Sequence, residues 1–292
     1  MPYSVNNQTC KSCKLCIEVC PCNIIDIDEN KKVFFIEKNI NACVKCGQCM
    51  AVCSTKSISV DGFSYDEDFM ELSKEKIEYE NFMNFIKQRR SARNYRNVDV
   101  PDEIIQKIIH AIEFAPFGSA HNDVHFTVVR TKEKFSESLP IMSEFFNEKI
   151  VKWIENPIMR KIIKMKKGEE TLNTLVNHLY PIAKSGNYDI NRGDRITRDA
   201  PVLIIFHADL GAEEHSHNSI IFATYGMIAA HSLGLSATFN GLVPSALNKN
   251  SELKNIFEIP KNHDVVTSLM IGYPKYHYQR TIVRKKTNVK FV

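Results

Sequence analysis

The chain has 292 residues, and its 38 Lys and Arg against 34 Asp and Glu leave a net charge of only +4, so nothing points to nucleic acid or another polyanion as a partner. At 43% hydrophobic it can bury a sizeable core, and its length suits roughly two domains of about 150 residues each. It has no run of about 18 apolar residues, so no membrane span is expected, and the opening Met1-Pro2-Tyr3-Ser4-Val5 lacks the basic-then-apolar layout of a secretion signal.

All nine cysteines fall in the first 53 residues. Eight form two copies of one spacing, Cys10-x-x-Cys13-x-x-Cys16-x-x-x-Cys20-Pro21 and Cys43-x-x-Cys46-x-x-Cys49-x-x-x-Cys53. A disulfide scaffold fits poorly with an odd count and no export signal, so a reducing cytoplasm is expected. Structural zinc usually takes paired C-x-x-C knuckles rather than a triplet with a fourth cysteine three residues on. The spacing is that of the bacterial ferredoxin run, in which the fourth cysteine of each run serves the other run's 4Fe–4S cluster. The expectation is two 4Fe–4S clusters, one on Cys10, Cys13, Cys16 and Cys53, the other on Cys43, Cys46, Cys49 and Cys20. Ser54, not proline, follows Cys53, and Cys22 is a ninth thiol expected to be buried, with a ligand swap as the alternative.

Between the runs, Ile24–Ile27, a polar turn at 28–32 and Val33–Ile36 read as a hairpin. Ile58–Val60 reads as a further short strand ending at Asp61-Gly62, and run plus strand make an internal duplication of about 30 residues. The expected first domain is 1–62, and the acidic, irregular stretch 63–80 is expected to be a linker.

From residue 81 to 292 the composition is that of an ordinary mixed α and β domain. Pro101 fits the first turn of a helix whose apolar stripe is Ile104, Ile105, Ile108, Ile109 and Ile112. Strand-like runs follow at Phe126–Val129, Val202–Phe206, Ala237–Phe239 and Val265–Ile271. Residues 220–235 are apolar nearly all round, which predicts a helix buried in a core or a subunit interface. Residues 135–198 read as a helical insertion, a lid over the core. Trp153, Tyr180 and Tyr188 in it could line a substrate pocket, although most aromatics simply pack. Glu213-Glu214-His215-Ser216-His217 reads as a solvated loop before the helix rather than a metal site.

Four short segments stand in a definite order: Arg89-Arg90-Ser91-Ala92-Arg93, Ala115–Asn122, Gly234–Gly241, and Ile271-Gly272-Tyr273-Pro274 with a basic tail. Three cations and a hydroxyl within five residues suit a phosphate, because guanidinium forks match its oxygens. In this order the segments resemble the nitroreductase family of FMN-dependent flavoproteins, over residues 82–130 and 200–285. With the cysteine runs in front, the whole chain resembles a ferredoxin–nitroreductase fusion. The resemblance implies an α+β fold: a duplicated ferredoxin-type domain, then a central, mostly antiparallel sheet flanked by helices. It implies a homodimer with FMN between the subunits.

By position, the resemblance places Arg89, Ser91 and Arg93, with Arg90 alongside, at the FMN phosphate, ribityl or pyrimidine edge. It places Pro116, Phe117, Gly118 and Asn122 near the ring bound by the other subunit. Backbone N–H groups of Asn240, Gly241 and Leu242 would face flavin N5, and Arg284, with Arg280 as its alternative, would be a second phosphate ligand. The family loop commonly carries Asn-x-Gln-Pro-Trp, where this chain has Ala120-His121-Asn122-Asp123-Val124. The implied activity is a reductase that takes electrons from a ferredoxin-like donor and passes them to a small organic acceptor: a nitro-aromatic, a quinone or an activated double bond. The alternatives are reductive dehalogenation, or a relay module serving a partner protein.

Overall fold

The repeat in the cysteine spacing is also a repeat of backbone conformation. The computed structural model describes residues 3–118, 123–283 and 288–292. In it, left-handed φ angles occur at Ser12, Lys14 and Asn23 (53°, 66° and 51°) and again, each 33 positions later, at Lys45, Gly47 and Lys56 (48°, 70° and 51°). The middle one of each set opens a one-turn helix: Lys14 before α1 (Leu15–Glu18) and Gly47 before α2 (Gln48–Ala51). Glycine takes this conformation freely and lysine does not, so the first copy holds its turn by tertiary constraint. Strands β1 (Ser4–Val5), β2 (Ile25–Ile27), β3 (Val33–Phe35) and β4 (Ile58–Ser59) form two antiparallel pairs, β1 with β4 and β2 with β3.

The chain divides into two compact units, Met1–Ile77 and Glu78–Val292. The first unit runs past residue 62 because three aromatic rings fold back onto it. Phe63 and Tyr65 both pack on Phe69, and the Tyr65 hydroxyl donates to the Met50 carbonyl at 3.3 Å. The stretch read as linker is therefore packed structure in its first third.

The second unit opens with α3 (Tyr79–Gln88) and α4 (Asp102–Glu113). Pro101 sits at the N-cap of α4, one position before the first turn, and Ile105, Ile108 and Ile112 are its buried stripe. Strand β5 (Val124–Val129) leads to α5 (Lys132–Glu144), α6 (Ile150–Glu155), α7 (Pro157–Lys167), α8 (Glu169–Thr174) and α9 (Tyr180–Lys184). Then come β6 (Val202–Asp209), α10 (His215–Ser232), β7 (Ser236–Phe239), α11 (Leu242–Leu247), α12 (Ser251–Ile256) and β8 (His263–Gly272). The four strands form one sheet in the order β5-β6-β8-β7, antiparallel at every pairing.

Strand β6 shows why the sheet is covered on both faces. Successive side chains of a strand point to opposite faces. Val202, Ile204 and Phe206 join the core under α4 and α10, while Leu203 and Ile205 join the core formed with α5, α6, α11 and α12. Residues 135–198 supply much of that second core through Met142, Phe145, Phe146, Ile150 and Ile154. Trp153 and Tyr188 are spent on packing, against Phe145 and Phe146 respectively.

Helix α10 lies half in and half out. Phe222, Ala223, Gly226 and Ala230 are buried, and a Cβ on Gly226 would come within 2.9 Å of Ile112 Cδ1, so α10 and α4 approach as closely as glycine permits. On its other side Ile220, Tyr225 and Ile228 are 44%, 37% and 38% exposed. Among the described residues no helix is long and apolar enough to cross a membrane.

Candidate functional sites

The eight motif cysteines line two pockets, sorted as crossed ligation requires. Cys10, Cys13, Cys16 and Cys53 share one, and Cys20, Cys43, Cys46 and Cys49 share the other. Each pocket thus takes three thiols from one run and the fourth from the other. Among the described residues no set of His, Cys, Asp or Glu side chains is gathered for a single metal ion. The thiols instead wall two volumes, and this soft donor set fits four-iron cubes.

Donors are also aimed at sulfur. The Ser12 N–H points at Cys10 Sγ (3.4 Å), and the Ser57 N–H (3.3 Å) and Thr55 hydroxyl (3.6 Å) meet Cys53 Sγ. Burial alone would push the Cys53 thiol up, but the Ser57 N–H, the Thr55 hydroxyl and the N–H groups of Thr55 and Ile58 hold it below the ordinary thiol value. Cys22 is only half-buried and lines the second pocket beside its four thiols. Its place at the wall, rather than in the core, is not visible in the spacing.

In the second unit, segment 89–95 is fastened by its backbone, and of its three arginines Arg93 is left exposed. Ser236 Oγ donates to the Arg90 carbonyl (3.0 Å), and Thr238 Oγ1 (2.5 Å) and Tyr95 Oη (3.0 Å) donate to the Ala92 carbonyl. The Tyr95 hydroxyl also lies 3.2 Å from the Met270 carbonyl, and burial pushes it up to about 12. Ala92 is buried, Arg89, Arg90 and Ser91 are half-buried, and Arg93 is exposed. The Arg90 guanidinium lies over the Tyr278 ring, and Arg89 Nη1 lies 3.5 Å from Met227 Sδ. The Ser91 hydroxyl has no hydrogen-bond partner among the described residues. A row of guanidinium groups beside a free hydroxyl is a donor set that fits a phosphate and a polar ring edge.

Pro116, Phe117 and Gly118 are exposed and lie elsewhere. Asn218, buried near the start of α10, clamps Gly118 with two bonds: Nδ2 donates to its carbonyl and Oδ1 accepts its N–H, both at 2.9 Å. Arg89, in contrast, meets α10 at Met227, nine residues or about 13 Å along the helix axis. Within one chain the two predicted parts of the site are therefore held apart along α10. Asn122 and Arg284 lie outside the described residues.

The turn at 240–242 is more committed than the sequence suggests. The Asn240 N–H donates to the Ser268 carbonyl (2.8 Å), and Asn240 Oδ1 accepts from the Leu242 and Val243 N–H groups (2.8 and 3.2 Å), capping α11. Of the three backbone donors expected at a flavin edge, those of Asn240 and Leu242 already have partners, and the Gly241 N–H has none among the described residues. Asn218 and the hydroxyls of Ser236 and Thr238 are the positioning groups that sequence reasoning missed. They are ordinary residues in ordinary elements, and only the fold reveals what they hold.

Glu214-His215-Ser216-His217 opens α10, where Glu214 pairs with His217 and His215 Nδ1 lies 3.0 Å from the Ala212 carbonyl. A second histidine group, His125, His207 and His263, stacks on the far end of the sheet, with His207 Nδ1 and His263 Nδ1 2.8 Å apart.

Both units resemble known proteins. The nitroreductase family matches residues 86–273, and a 4Fe-4S dicluster domain matches residues 9–57. A Methanothermobacter thermautotrophicus protein provisionally named an NADH dehydrogenase/NAD(P)H nitroreductase is 25% identical over 65% of this chain and 75% of its own length. The iodotyrosine deiodinase of Hydra vulgaris is 27% identical over 68% of this chain and 66% of its own. A Desulfitobacterium hafniense nitroreductase solved with bound FMN shares the fold, with a TM-score of 0.51 and 20% identity over 72% of this chain and 97% of that one. The protein therefore belongs to the nitroreductase family of flavin oxidoreductases, and it carries a 4Fe–4S dicluster domain in front of the family fold.

Proposed function

We propose that this protein accepts low-potential electrons from a ferredoxin-like donor and reduces a small organic acceptor, with two 4Fe–4S clusters in the first unit and one FMN per subunit in the second. When bound, the clusters supply one-electron transfer and FMN supplies storage of two electrons and their delivery as a hydride or singly. The observation that carries the reading is the pair of four-thiol pockets in the same chain as the row Arg89, Arg90, Ser91 and Arg93. The first four-thiol set would use Cys10, Cys13, Cys16 and Cys53, the second Cys20, Cys43, Cys46 and Cys49. The basic row would hold the phosphate and the polar edge of the flavin, with Arg284 as a further phosphate ligand and the Gly241 N–H at the ring.

The homodimer has a structural argument of its own. Pro116–Gly118 lies at the opposite end of α10 from Arg89, so one chain does not close the site. The exposed face of α10 at Ile220, Tyr225 and Ile228 is apolar, as a subunit interface requires. Pairing two copies across that face would bring one chain's Pro116–Gly118 segment to the other chain's basic row. The deiodinase relative favours reductive dehalogenation as a second reading, with the same electron route and a halogenated acceptor.

Arg93→Ala should lower FMN affinity by one to two orders of magnitude, the loss of a contact worth about 1.5–3 kcal/mol. Cys13→Ser should lose most ferredoxin-driven reduction of a nitro-aromatic or quinone and keep turnover by a chemical reductant that reaches FMN directly. Equal ferredoxin-driven rates in native and variant protein would overturn the electron route. A deiodination screen under the same conditions separates the two acceptor classes.

A further inference from the structure

Beside Arg93 lies an open pocket most of whose cations have no part in the proposed cofactor sites. Arg192, Arg195 and Arg198 line it from the loop before β6, and Arg93 and Lys275 close it from the other side. Three of the five cations thus come from a loop that contributes nothing to the row proposed for FMN. Among the described residues none of the five forms an ion pair with a carboxylate. Arg192 donates to the Ser185 carbonyl and the Lys275 ammonium lies over the Tyr276 ring, so both keep their charge uncompensated.

Two carboxylates also line the pocket, against five cations. Asp194 is buried and spent on its own loop: Oδ1 accepts the N–H groups of Ile196 and Thr197 (both 2.8 Å), and Oδ2 accepts the Asp199 N–H (3.0 Å) and the Thr197 hydroxyl. Asp199 is exposed, and its carboxyl is pushed up first by burial of its surroundings and then by Asp194, against the pull of Arg195. The loop is held in an unfavourable shape, with φ of 61° at Arg198 and 52° at Asp199, and such strain persists only where surrounding structure enforces it. The same loop is tied to the turn that carries Gly241, through Asn240 Nδ2 on the Ile196 carbonyl (2.7 Å).

We infer that this pocket binds the acid group of the electron acceptor, and that the natural acceptor is an organic acid carrying a carboxylate or phosphate. The inference rests on the proposed reductase reading for the place of the flavin beside Arg93. An anion held by Arg192, Arg195 and Arg198 would fix the acceptor's orientation, since guanidinium forks take carboxylate or phosphate oxygens two at a time.

The test compares 4-nitrobenzoate with nitrobenzene on FMN-loaded, full-length native protein, Arg195→Ala, Arg192→Ala and Arg195→Lys. For each, FMN occupancy is read from the visible spectrum, binding of 4-nitrobenzoate by calorimetry at two salt concentrations, and kcat/KM for both acceptors. In the alanine variants the ratio of kcat/KM for the acid over the neutral compound should fall roughly ten- to a hundredfold. The Kd of 4-nitrobenzoate should rise by a similar factor, FMN occupancy should hold, and Arg195→Lys should recover part of the loss. An equal fall for both acceptors would make the loop merely structural and overturn the inference. So would loss of FMN, which would assign the pocket to the cofactor's phosphate, or an effect confined to NADPH oxidation, which would assign it to a nucleotide donor. Arginine-dependent, salt-sensitive binding of 4-nitrobenzoate without reduction of either acceptor would uphold the anion pocket and sink the reductase reading.

Discussion

Asn240 donates from its buried amide Nδ2 to the carbonyl of Ile196 at 2.7 Å, which joins the turn after β7 to the arginine-bearing loop before β6. The same side chain caps α11 through Oδ1, and its backbone carbonyl accepts from Ser268 Oγ (2.9 Å). One residue thus fixes three elements around the proposed ring edge. Asn240→Ala removes the cap and strands a buried carbonyl, a loss of about 2–4 kcal/mol in denaturant unfolding. Asn240→Asp keeps the cap acceptor, loses the donor, and should fall between. A change below about 0.5 kcal/mol in the alanine variant would show that the bond to Ile196 is idle.

The second prediction is metal content. Two four-thiol pockets imply about eight iron atoms per chain in anaerobically reconstituted protein. Cys22→Ala should keep that content even though Cys22 lines the second pocket, because four other thiols are already present there. Cys16→Ser and Cys49→Ser should each remove about half of the iron. If iron in Cys22→Ala falls by half instead, Cys22 is a ligand and one of Cys20, Cys43, Cys46 and Cys49 is not.

Gly272 ends β8 under two rings. A Cβ there would lie 2.7 Å from Pro201 Cδ and 2.9 Å from Tyr95 Cδ1. Neither ring is free to swing away: Pro201 leads into β6, and the Tyr95 hydroxyl is bonded to the Ala92 and Met270 carbonyls. Gly272→Ala should therefore destabilise by about 1–3 kcal/mol through overpacking, measured by denaturant midpoint at unchanged m-value. Because Tyr95 follows the basic row, the variant should also bind FMN more weakly than its stability alone explains. FMN affinity equal to native would separate the packing of Gly272 from the site.

Acid should loosen the far end of the sheet. His207 is 5% exposed, and its pKa is lowered to about 4, first by burial and then by His263, His125 and Lys254. His263 is lowered too, by burial first. A histidine whose folded pKa lies below its unfolded value of about 6.5 favours folding while neutral, and that stability is lost as pH falls from about 6.5 toward 4. The melting temperature should therefore drop between pH 7 and pH 5. His207→Gln, which can keep a hydrogen bond to the Thr127 hydroxyl, should flatten the slope. An unchanged slope in the variant would place the acid sensitivity elsewhere.

The sequence by itself determined what depends on local spacing. Cysteine spacing names a cluster chemistry because ligands of one cube sit a few residues apart, and the left-handed turns that allow this recur at the same offset. The four sheet strands and the Ile105, Ile108, Ile112 stripe were legible because burial imposes periods of 2 and 3.6. The row Arg89 to Arg93 was legible as a candidate phosphate site because its cations are contiguous in sequence.

Only the tertiary structure decided the rest. Helix α10 is apolar nearly all round, so its sequence could not say which side meets the sheet; packing against Ile112 at Gly226 chose it and left Ile220, Tyr225 and Ile228 outside. Phe63, Tyr65 and Phe69 sit in an acidic stretch that reads as linker, yet their rings found a surface in the first unit. Asn218 on Gly118 and Asn240 on Ile196 join residues 100 and 44 positions apart. The pocket of Arg93, Arg192, Arg195, Arg198 and Lys275 is assembled from three distant segments. In each case the decisive term is an interaction between groups far apart in sequence, whose partners the fold alone selects.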